Sequence, residues 1–395
     1  MYILVANLGS TSFKYRLFRV EGTEPALVTK GGYERVSDYE ACIGDMLAAL
    51  KADGCLAGED DVSAVGFKTV LGKDLSGCVE GDDVITAALE GFTDVAPAHN
   101  PAYAAGIRSF ARRLPMARRV ALFETAFYQW VPEAAAAYAL PKAWRDLGIR
   151  RYGFHGASHK FVAERSAECL GNETVAERVR KLYVSGPGDY DGPPLRVVSC
   201  HLGGSSSVTG IHNGIAIGTS MGFSPQSGLP QNNRVGDLDA MAITYAAKKL
   251  GASLDELERQ LTKEGGLLGL SGVSNDVRDI DAAIADGNSA AALAIDVLVD
   301  SIVHYTGAFM LKMGGLDAIC FTAGIGENDA RIRARVCEAL EPFGLTLDPA
   351  TNAAAIGGTE SVISADGSAV RALVLPANEE LVIAREVTRY LRAHP

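Results

Sequence analysis

The chain has 395 residues, of which 48% are hydrophobic and 22% charged, a balance typical of a globular protein with room for two domains. Its 37 basic residues against 48 acidic residues give a net charge of -11, which argues against a protein that binds nucleic acid along its phosphate backbone. Seven scattered cysteines without a Cys-x-x-Cys pair predict neither a zinc site nor a disulfide framework, and the absence of a signal-peptide pattern or a membrane-length apolar run predicts a cytoplasmic protein without membrane contact.

The N-terminus carries a strand–turn–strand pattern whose turn is rich in glycine and hydroxyl residues. Apolar strands within residues 3–18 flank the turn Gly9-Ser-Thr-Ser12, and Lys14 follows in the second strand. Backbone N–H groups, hydroxyls and an ammonium in one concave loop suit a phosphate. The same pattern recurs over residues 196–211, so we predict two related halves that clamp a polyphosphate.

Strands and helices alternate along both halves, which predicts an α/β fold with mixed sheets. Further helices are predicted near 39–51, 100–114, 238–250, 288–313 and 379–393, and further strands at 64–70, 119–123, 318–322 and 370–375. The Pro- and Gly-rich segment 185–194 is predicted to be a surface loop. The last helix has no sheet of its own, so we expect it to pack back on the first domain.

Residues 150–159 concentrate two arginines, two histidines and two glycines. Gly153 and Gly156 flank Phe154-His155, which predicts a tightly placed backbone with His155 projecting into a cleft. His155 and His159 have the spacing of a zinc-protease pair but lack its glutamate, so hydrogen bonding or catalysis is favoured over metal binding.

The segment 219–239 is long, irregular and poor in charge until Arg234. Long loops of this kind are functional or disordered, and the apolar content of this one favours function. Arg234 would hold an anion, or alternatively pair with Asp237 or Asp239 on the surface.

Two glycine- or acid-rich turns follow predicted strands near the C-terminus. Gly324 and Gly326 would let the backbone approach a ligand before a helix that begins near Asp329, although an ordinary strand-to-helix turn would look the same. At 376–380, Asn378 could cap the last helix, and the acids beside it could suit the helix dipole or hold Mg²⁺ through water.

Motifs in this order resemble those of the acetate kinase family, within the actin-like, sugar-kinase ATPase superfamily, over nearly the whole chain. They are Asn7-Leu-Gly-Ser-Thr-Ser-Phe-Lys14, Ala96-Pro-Ala-His-Asn-Pro101, Tyr152-Gly-Phe-His-Gly-Ala-Ser-His159, Thr219-Ser-Met-Gly-Phe223, Arg234-Val-Gly-Asp237, Thr322-Ala-Gly-Ile-Gly-Glu-Asn328 and Pro376-Ala-Asn-Glu-Glu-Leu381. The resemblance implies an α/β fold of two similar actin-like (ribonuclease H-like) ATPase domains with mixed sheets flanked by helices. The implied domains are residues 1–149 with 382–395 and residues 150–381, and the active site lies in the cleft between them.

The resemblance also implies a reaction: reversible transfer of the ATP γ-phosphoryl group to a short-chain carboxylate, which gives an acyl phosphate. ATP or ADP is then the co-substrate, Mg²⁺ the cofactor and a homodimer the assembly, with His155, Arg234 and Glu124 catalytic and Asn7 and Glu379 on the metal side. The residues implied to hold the acyl substrate are Lys68, Val70, Ala98, Phe154 and Pro225. Those implied to hold phosphate and nucleotide are Ser10, Ser12, Lys14, His201, Gly203, Gly204, Asp276, Arg278, Gly324, Ile325, Gly326 and Asn328.

Three positions on the acceptor side depart from the family pattern. Lys68 stands in place of an Arg and keeps the charge without the planar fork that grips a carboxylate. Glu124 stands in place of an Asp, and Ala98 in place of a Leu that lines the acyl pocket, which leaves room for extra carbons. We therefore predict a carboxylate kinase whose preferred acid is larger or more polar than acetate. The alternatives are a plain acetate or propionate kinase in which Lys68 and Glu124 compensate each other, and a non-catalytic nucleotide-binding relative.

Overall fold

The computed structural model describes residues 1–9, 11–73, 75–93 and 100–395. The strands within them are β1 (Tyr2–Gly9), β2 (Ser12–Glu21), β3 (Glu24–Glu34), β4 (Val62–Thr69), β5 (Cys78–Glu80), β6 (Arg118–Phe123), β7 (Arg196–Leu202), β8 (Ser206–His212), β9 (Ile215–Thr219), β10 (Ala318–Thr322), β11 (Ser361–Val362) and β12 (Arg371–Val374). The helices are α1 (Tyr39–Ala52), α2 (Asp83–Gly91), α3 (Asn100–Arg113), α4 (Glu133–Ala136), α5 (Lys142–Asp146), α6 (Gly156–Cys169), α7 (Glu173–Ser185), α8 (Ala240–Leu250), α9 (Leu254–Arg259), α10 (Gly266–Ser271), α11 (Val277–Ala285), α12 (Ser289–Met313), α13 (Ala323–Asn328), α14 (Ala330–Glu338), α15 (Pro349–Ala354) and α16 (Glu379–Ala393).

The strands form two six-stranded mixed sheets that share one topology. The first has the order β3-β2-β1-β4-β6-β5 and the second β11-β12-β10-β7-β8-β9, which is the same order read from the opposite edge. In each sheet an antiparallel meander leads into parallel strands and ends in a short antiparallel edge strand. The two related halves predicted from the repeated hairpin are therefore present, and the α/β fold with mixed sheets is confirmed.

Helices cover both faces of the first sheet. On one face α16 packs so closely that a Cβ added to Gly66 of β4 would lie 2.8 Å from the side chain of Ile383. On the other face α3 approaches at Gly106, which faces Leu8 of β1. The last helix therefore closes the first sheet, as expected for a helix with no sheet of its own.

The second sheet is covered in the same way by α12 and α6. Gly210 of β8 faces the ring of Phe309 in α12, whereas His159 of α6 hydrogen-bonds with Ser199 of β7 at 2.8 Å. Because α6 also bonds to α16, these two helices lie between the sheets. In this layered arrangement, α6 and α16 begin near the ends of central strands such as β4 and β7.

Two sequence-based expectations were wrong. The glycine turn after β10 is itself a short helix, α13, whose first residue Ala323 has a φ of 64°. The helix expected to begin near Asp329 is confirmed as α14, which Asp329 caps. The chain also contains one helix, α12, that is long and apolar enough to cross a membrane by length and composition, although no such run was expected. Its apolar residues, among them Leu298 and Ile302, pack into the core on the second sheet.

A salt bridge between α6 and α16 is almost completely buried. Lys160 Nζ lies 2.7 Å from Glu386 Oε1, and the two side chains are 1% and 2% exposed. Arg389 of α16 bonds to the same Glu386 oxygen at 2.6 Å and to Glu164 of α6 at 2.8 Å. Burial lowers the pKa of Lys160 while Glu386 opposes that shift, so the charges depend on each other.

We predict that Lys160→Met lowers the free energy of unfolding by about 1.5–3 kcal/mol, because the buried Glu386 loses a charged hydrogen bond and keeps only the one from Arg389. Urea unfolding followed by circular dichroism measures this loss. Lys142→Met is the matched control, since it removes a lysine whose pair with Asp146 is exposed and contributes about 0–1 kcal/mol. Equal losses in the two variants would contradict the prediction. Adding Glu386→Leu to Lys160→Met should recover most of the loss.

Candidate active site

Lys68, at the end of β4, lies between two carboxylates. Its Nζ atom is 2.6 Å from Glu379 Oε2 and 3.4 Å from Glu124 Oε1, and the lysine side chain is 22% exposed. Glu379 is the first residue of α16 and Glu124 follows β6, so three separate elements meet at this ammonium. All three residues were predicted to belong to the site.

Lys68, Glu124 and Glu379 shift one another's pKa values. Burial alone would lower the pKa of Lys68, but Glu124 and Glu379 outweigh it and raise that pKa. Burial raises the pKa of Glu124, with Lys68 opposing and Glu379 adding to the rise. Although burial would raise the pKa of Glu379, Lys68 and His201 hold it below the usual range. The ammonium therefore stays charged and Glu379 stays ionised near neutral pH.

Asn7, at the end of β1, reaches the same end of the sheet. Its Oδ1 atom accepts a hydrogen bond of 3.1 Å from the hydroxyl of Tyr103 in α3. Burial raises the pKa of Tyr103, and Lys68, Glu124 and Glu379 each act on it electrostatically, which places the phenol beside the charged group. Sequence analysis missed Tyr103, because an aromatic residue at helical spacing is usually a core residue.

Three histidines from α6 and β7 form a second cluster. The Ser207 hydroxyl lies 2.8 Å from both His155 Nδ1 and His159 Nε2, and His159 Nδ1 bonds with Ser199. The rings of His155 and His201 stack with centroids 4.1 Å apart. Burial lowers the pKa of His201 to about 4 and lowers the pKa values of His155 and His159 well below 6.5. These imidazoles are therefore neutral near pH 7, and hydrogen bonding rather than metal binding accounts for the His155–His159 pair.

The backbone around His155 is tightly constrained. His155 has a φ of 60°, a left-handed conformation that is uncommon for a residue with a side chain. A Cβ on Gly153 would lie 2.6 Å from the ring of Tyr128, and one on Gly156 would collide with the carbonyl of Glu124. The close placement predicted from the two glycines is present, and it fixes the His155 side chain at the start of α6.

Arg234 lies beside the second hairpin. Its Nη1 atom donates to the hydroxyl of Ser205 at 3.0 Å and to Gln231 Oε1 at 3.2 Å. Burial lowers its pKa, and Arg234 in turn lowers the pKa of His155, so the two lie in one electrostatic environment. Asp237 accepts from Gly228 and Tyr305, and Asp239 caps α8, so the surface ion pair considered for Arg234 is not found within the described residues.

The predicted acyl-binding residues separate into two groups. Phe154 packs with Leu71 and Met221 in a small buried apolar cluster, and Val70 packs against it. Pro225 lies instead beside Arg234, where its carbonyl accepts from Arg234 Nη1 at 3.5 Å. Ala98 lies outside the described residues.

Most of the predicted nucleotide residues line one cleft of about 730 Å³ at the second sheet. They are Gly203, Gly204, Asp276, Arg278, Gly324, Ile325 and Asn328. Arg278 pairs with Asp276 at 2.5 Å, and the Asn328 amide donates to the Gly324 carbonyl at 2.8 Å. Gly326 does not line this cleft, because it packs against Phe321 of β10 and its carbonyl accepts from Arg333.

The first hairpin lines a different cleft. Asn7 and Lys14 share it with Arg16 and Glu380, and Lys14 is exposed beside Glu34 at 3.8 Å. Ser12 begins β2 opposite Gly9, and Ser10 lies outside the described residues. Within the described residues the structure therefore does not bring Lys14 to the nucleotide cleft at the second sheet.

A magnesium ion fits the donors around Glu379. No group of three His, Cys, Asp or Glu residues in the described part of the chain could hold a metal alone. Magnesium, however, is usually bound by one or two carboxylates together with substrate phosphates and water. Glu124 Oε1 is buried without a hydrogen-bond partner, and Asn7 and Glu379 supply further oxygen atoms at the same sheet end. Oxygen donors of this kind suit a hard cation.

Two repeated α/β halves, with partly buried cations and neutral imidazoles at one end of their strands and a glycine-lined cleft at the second sheet, suit the binding of a phosphorylated ligand. The profile of the Acetokinase family matches residues 29–385. An acetate kinase of Staphylococcus haemolyticus is 37% identical over an alignment of 414 positions, gaps included, which covers 98% of each chain. The chain belongs to the acetokinase family and is a carboxylate phosphotransferase.

Solved structures agree with this assignment. The Porphyromonas gingivalis acetate kinase matches with a TM-score of 0.88 and 33% identity, covering 99% of both chains. A propionate kinase from Francisella tularensis matches with a TM-score of 0.81 and 31% identity, covering 98% of both chains. The resemblance to this family over nearly the whole chain is therefore confirmed.

We predict that the free energy of unfolding falls as the pH drops below 6.5 and that His201 contributes until about pH 4. The unfolded chain protonates its histidines near pH 6.5 while the folded protein keeps His159 and His201 neutral, so acid favours unfolding by about 1.4 kcal/mol per pH unit for each such group. Urea unfolding between about pH 7 and about pH 5 measures the slope. His159→Gln should reduce this slope. A slope unchanged in that variant would contradict this account.

Proposed function

We propose that the chain is an ATP-dependent kinase of a short-chain monocarboxylate. The observation that carries this proposal is the position of Lys68, whose ammonium lies at the cleft between the two halves beside Glu124 and Glu379. An ammonium in a partly buried position suits the carboxylate of an acceptor. The apolar cluster around Phe154, with Val70 beside it, suits a short alkyl chain.

Arg234 and His155 then act on the phosphoryl group during transfer. A carboxylate oxygen of the acceptor attacks the γ-phosphorus of ATP, the bond from that phosphorus to the bridging oxygen breaks, and ADP leaves with the electron pair. Catalysis of this step depends on positioning and charge neutralisation more than on covalent help. A neutral imidazole and a guanidinium both donate hydrogen bonds to the equatorial oxygens, and loss of one such donor costs about 3–4 kcal/mol of barrier.

Asn7, Glu379 and Glu124 would hold Mg²⁺ near these phosphates. When bound, the ion neutralises phosphate charge and orients the phosphoryl group. The chain's own contribution is to fix the carboxylates: Asn378 caps α16 through a bond of 3.1 Å to Leu381 N, which holds Glu379 at the helix start. The glycine-lined cleft at the second sheet would take the adenosine.

Two hypotheses concern the acceptor: an acid larger than acetate, or plain acetate or propionate. Ala98 in place of a larger residue favours an acid larger than acetate, since each extra carbon in a fitted pocket contributes about 1–3 kcal/mol. The apolar character of the cluster around Phe154 favours an alkyl chain over a polar one. The contact of 3.4 Å between Lys68 and Glu124 favours the second reading, a plain acetate or propionate kinase in which these two residues compensate each other.

We predict ATP-dependent formation of acyl phosphate, with butyrate preferred over acetate and propionate by about tenfold or more. Trapping the product with hydroxylamine over a panel of carboxylic acids measures kcat/KM for each. Arg234→Ala should lower kcat by about 10²–10³-fold, whereas Arg145→Ala, an exposed arginine in α5, should not. A clear acetate preference would establish the second reading, and no turnover with any acid would indicate a non-catalytic relative.

We further propose that two copies of the chain pair through α8. None of its residues is buried, and Met241 and Tyr245, one turn apart on the same face, are each 65% exposed. An exposed apolar helix face of this kind usually marks an interface, and a twofold pair of identical chains is the commonest arrangement. The homodimer implied by the resemblance agrees with a second copy of the chain packed on α8.

We predict a dimer by light scattering coupled to size-exclusion chromatography and a shift toward monomer in Met241→Glu/Tyr245→Glu, because charges on the apolar face oppose pairing. Leu311→Glu is the matched control, since Leu311 is 82% exposed on another helix. A monomeric parent protein, or a dimer that withstands the double change, would exclude α8 as the interface.

A further inference from the structure

Lys68 already has two partners in the protein before any ligand binds. Its ammonium contacts Glu379 at 2.6 Å and Glu124 at 3.4 Å, and the carboxylates are 25% and 7% exposed. With both carboxylates ionised, one ammonium between them leaves the group net negative. An acceptor carboxylate would add a further negative charge, so this arrangement repels the very substrate that Lys68 is proposed to bind.

A divalent cation at Glu379 would change this balance. It would compete with the ammonium for the same carboxylate oxygens, because hard cations prefer carboxylate ligands. The lysine side chain is long and flexible and its ammonium is a point charge, so it can leave one partner for another without losing a bidentate geometry. Glu124 Oε1 lies 3.4 Å from the ammonium and makes no hydrogen bond, so the lysine satisfies the two carboxylates unequally.

We propose that Lys68 is an internal counter-ion that occupies the cation position between Glu124 and Glu379 until a divalent cation arrives with the nucleotide, and that it then pairs with the acceptor carboxylate. This inference rests on the proposed function. The metal–nucleotide complex and the acceptor then favour each other's binding. The metal releases the Lys68 ammonium from Glu379, and the acceptor carboxylate pairs with the released ammonium. The same exchange also makes Lys68 an inhibitor of metal binding in the free protein.

Calorimetric titration of Mg²⁺ into the protein–ADP complex tests whether Lys68 competes with the metal. Lys68→Met should bind Mg²⁺ at least about fivefold more tightly than the parent protein, whereas ADP binding in EDTA should not tighten. Lys142→Met is the matched control, since it removes one positive charge from an exposed ion pair far along the chain. If Lys68→Met binds Mg²⁺ as the parent does or more weakly, or binds ADP more tightly without metal, the competition is excluded.

A second experiment tests whether the released Lys68 pairs with the acceptor. It measures the affinity for acetate by saturation-transfer NMR, with and without Mg·ADP. The parent protein should bind acetate at least about fivefold more tightly with Mg·ADP, and Glu124→Gln, which removes one negative charge, should reduce this dependence. An acetate affinity independent of Mg·ADP in the parent protein would overturn the proposal. Glu124→Gln also keeps the test available if Lys68→Met does not fold.

Neither measurement involves turnover, so the two proposals can fail separately. An active carboxylate kinase with no competition for Mg²⁺ would overturn the role of Lys68 alone. Competition for Mg²⁺ in a protein that phosphorylates no acid in the panel would overturn the proposed function alone.

Discussion

The relative positions of His155 and Glu379 in the active site depend on the buried salt bridge between Lys160 and Glu386. It joins α6, which packs on the second sheet, to α16, which packs on the first, at a point where both side chains are almost fully removed from solvent. The first turn of α6 carries His155 at its N-terminal end, and α16 begins with Glu379. A shift between these two helices would therefore move both residues relative to each other. Charged partners suit this role because a buried ion pair tolerates little displacement.

The cleft combines two electrostatic environments that burial creates in opposite ways. Burial keeps His155, His159 and His201 neutral, because hydroxyl partners do not compensate a buried imidazolium. Lys68 and Glu379 stay charged because each compensates the other at 2.6 Å. The result is a set of fixed donors beside a set of exchangeable charges. Fixed donors suit a transition state whose charge is spread over oxygens, and exchangeable charges suit the binding of ionic ligands.

Much of the fold follows from local patterns in the sequence. The repeated hairpins predict two related halves, which the shared strand order of the two sheets confirms. The apolar spacing predicts α1, α3, α12 and α16 to within a few residues. The pairing of Lys68 with Glu379, 311 residues apart, could not be predicted, because it depends on how α16 packs on the first sheet. The helical form of the turn after β10 was missed because glycines alone do not distinguish a turn from a short helix. Tyr103 was missed because its place in the site is shown by its hydroxyl bond to Asn7 and not by its spacing.

The packing of α16 on the first sheet has a consequence for biosynthesis. β1, β2 and β4 are translated early, yet the helix that covers one of their faces is encoded after the entire second sheet. Domains usually fold as units from the N-terminus during synthesis. Here the face at Gly66 stays open until Ile383 and Val387 have left the ribosome. The nascent first half therefore carries an uncovered apolar sheet face through most of translation.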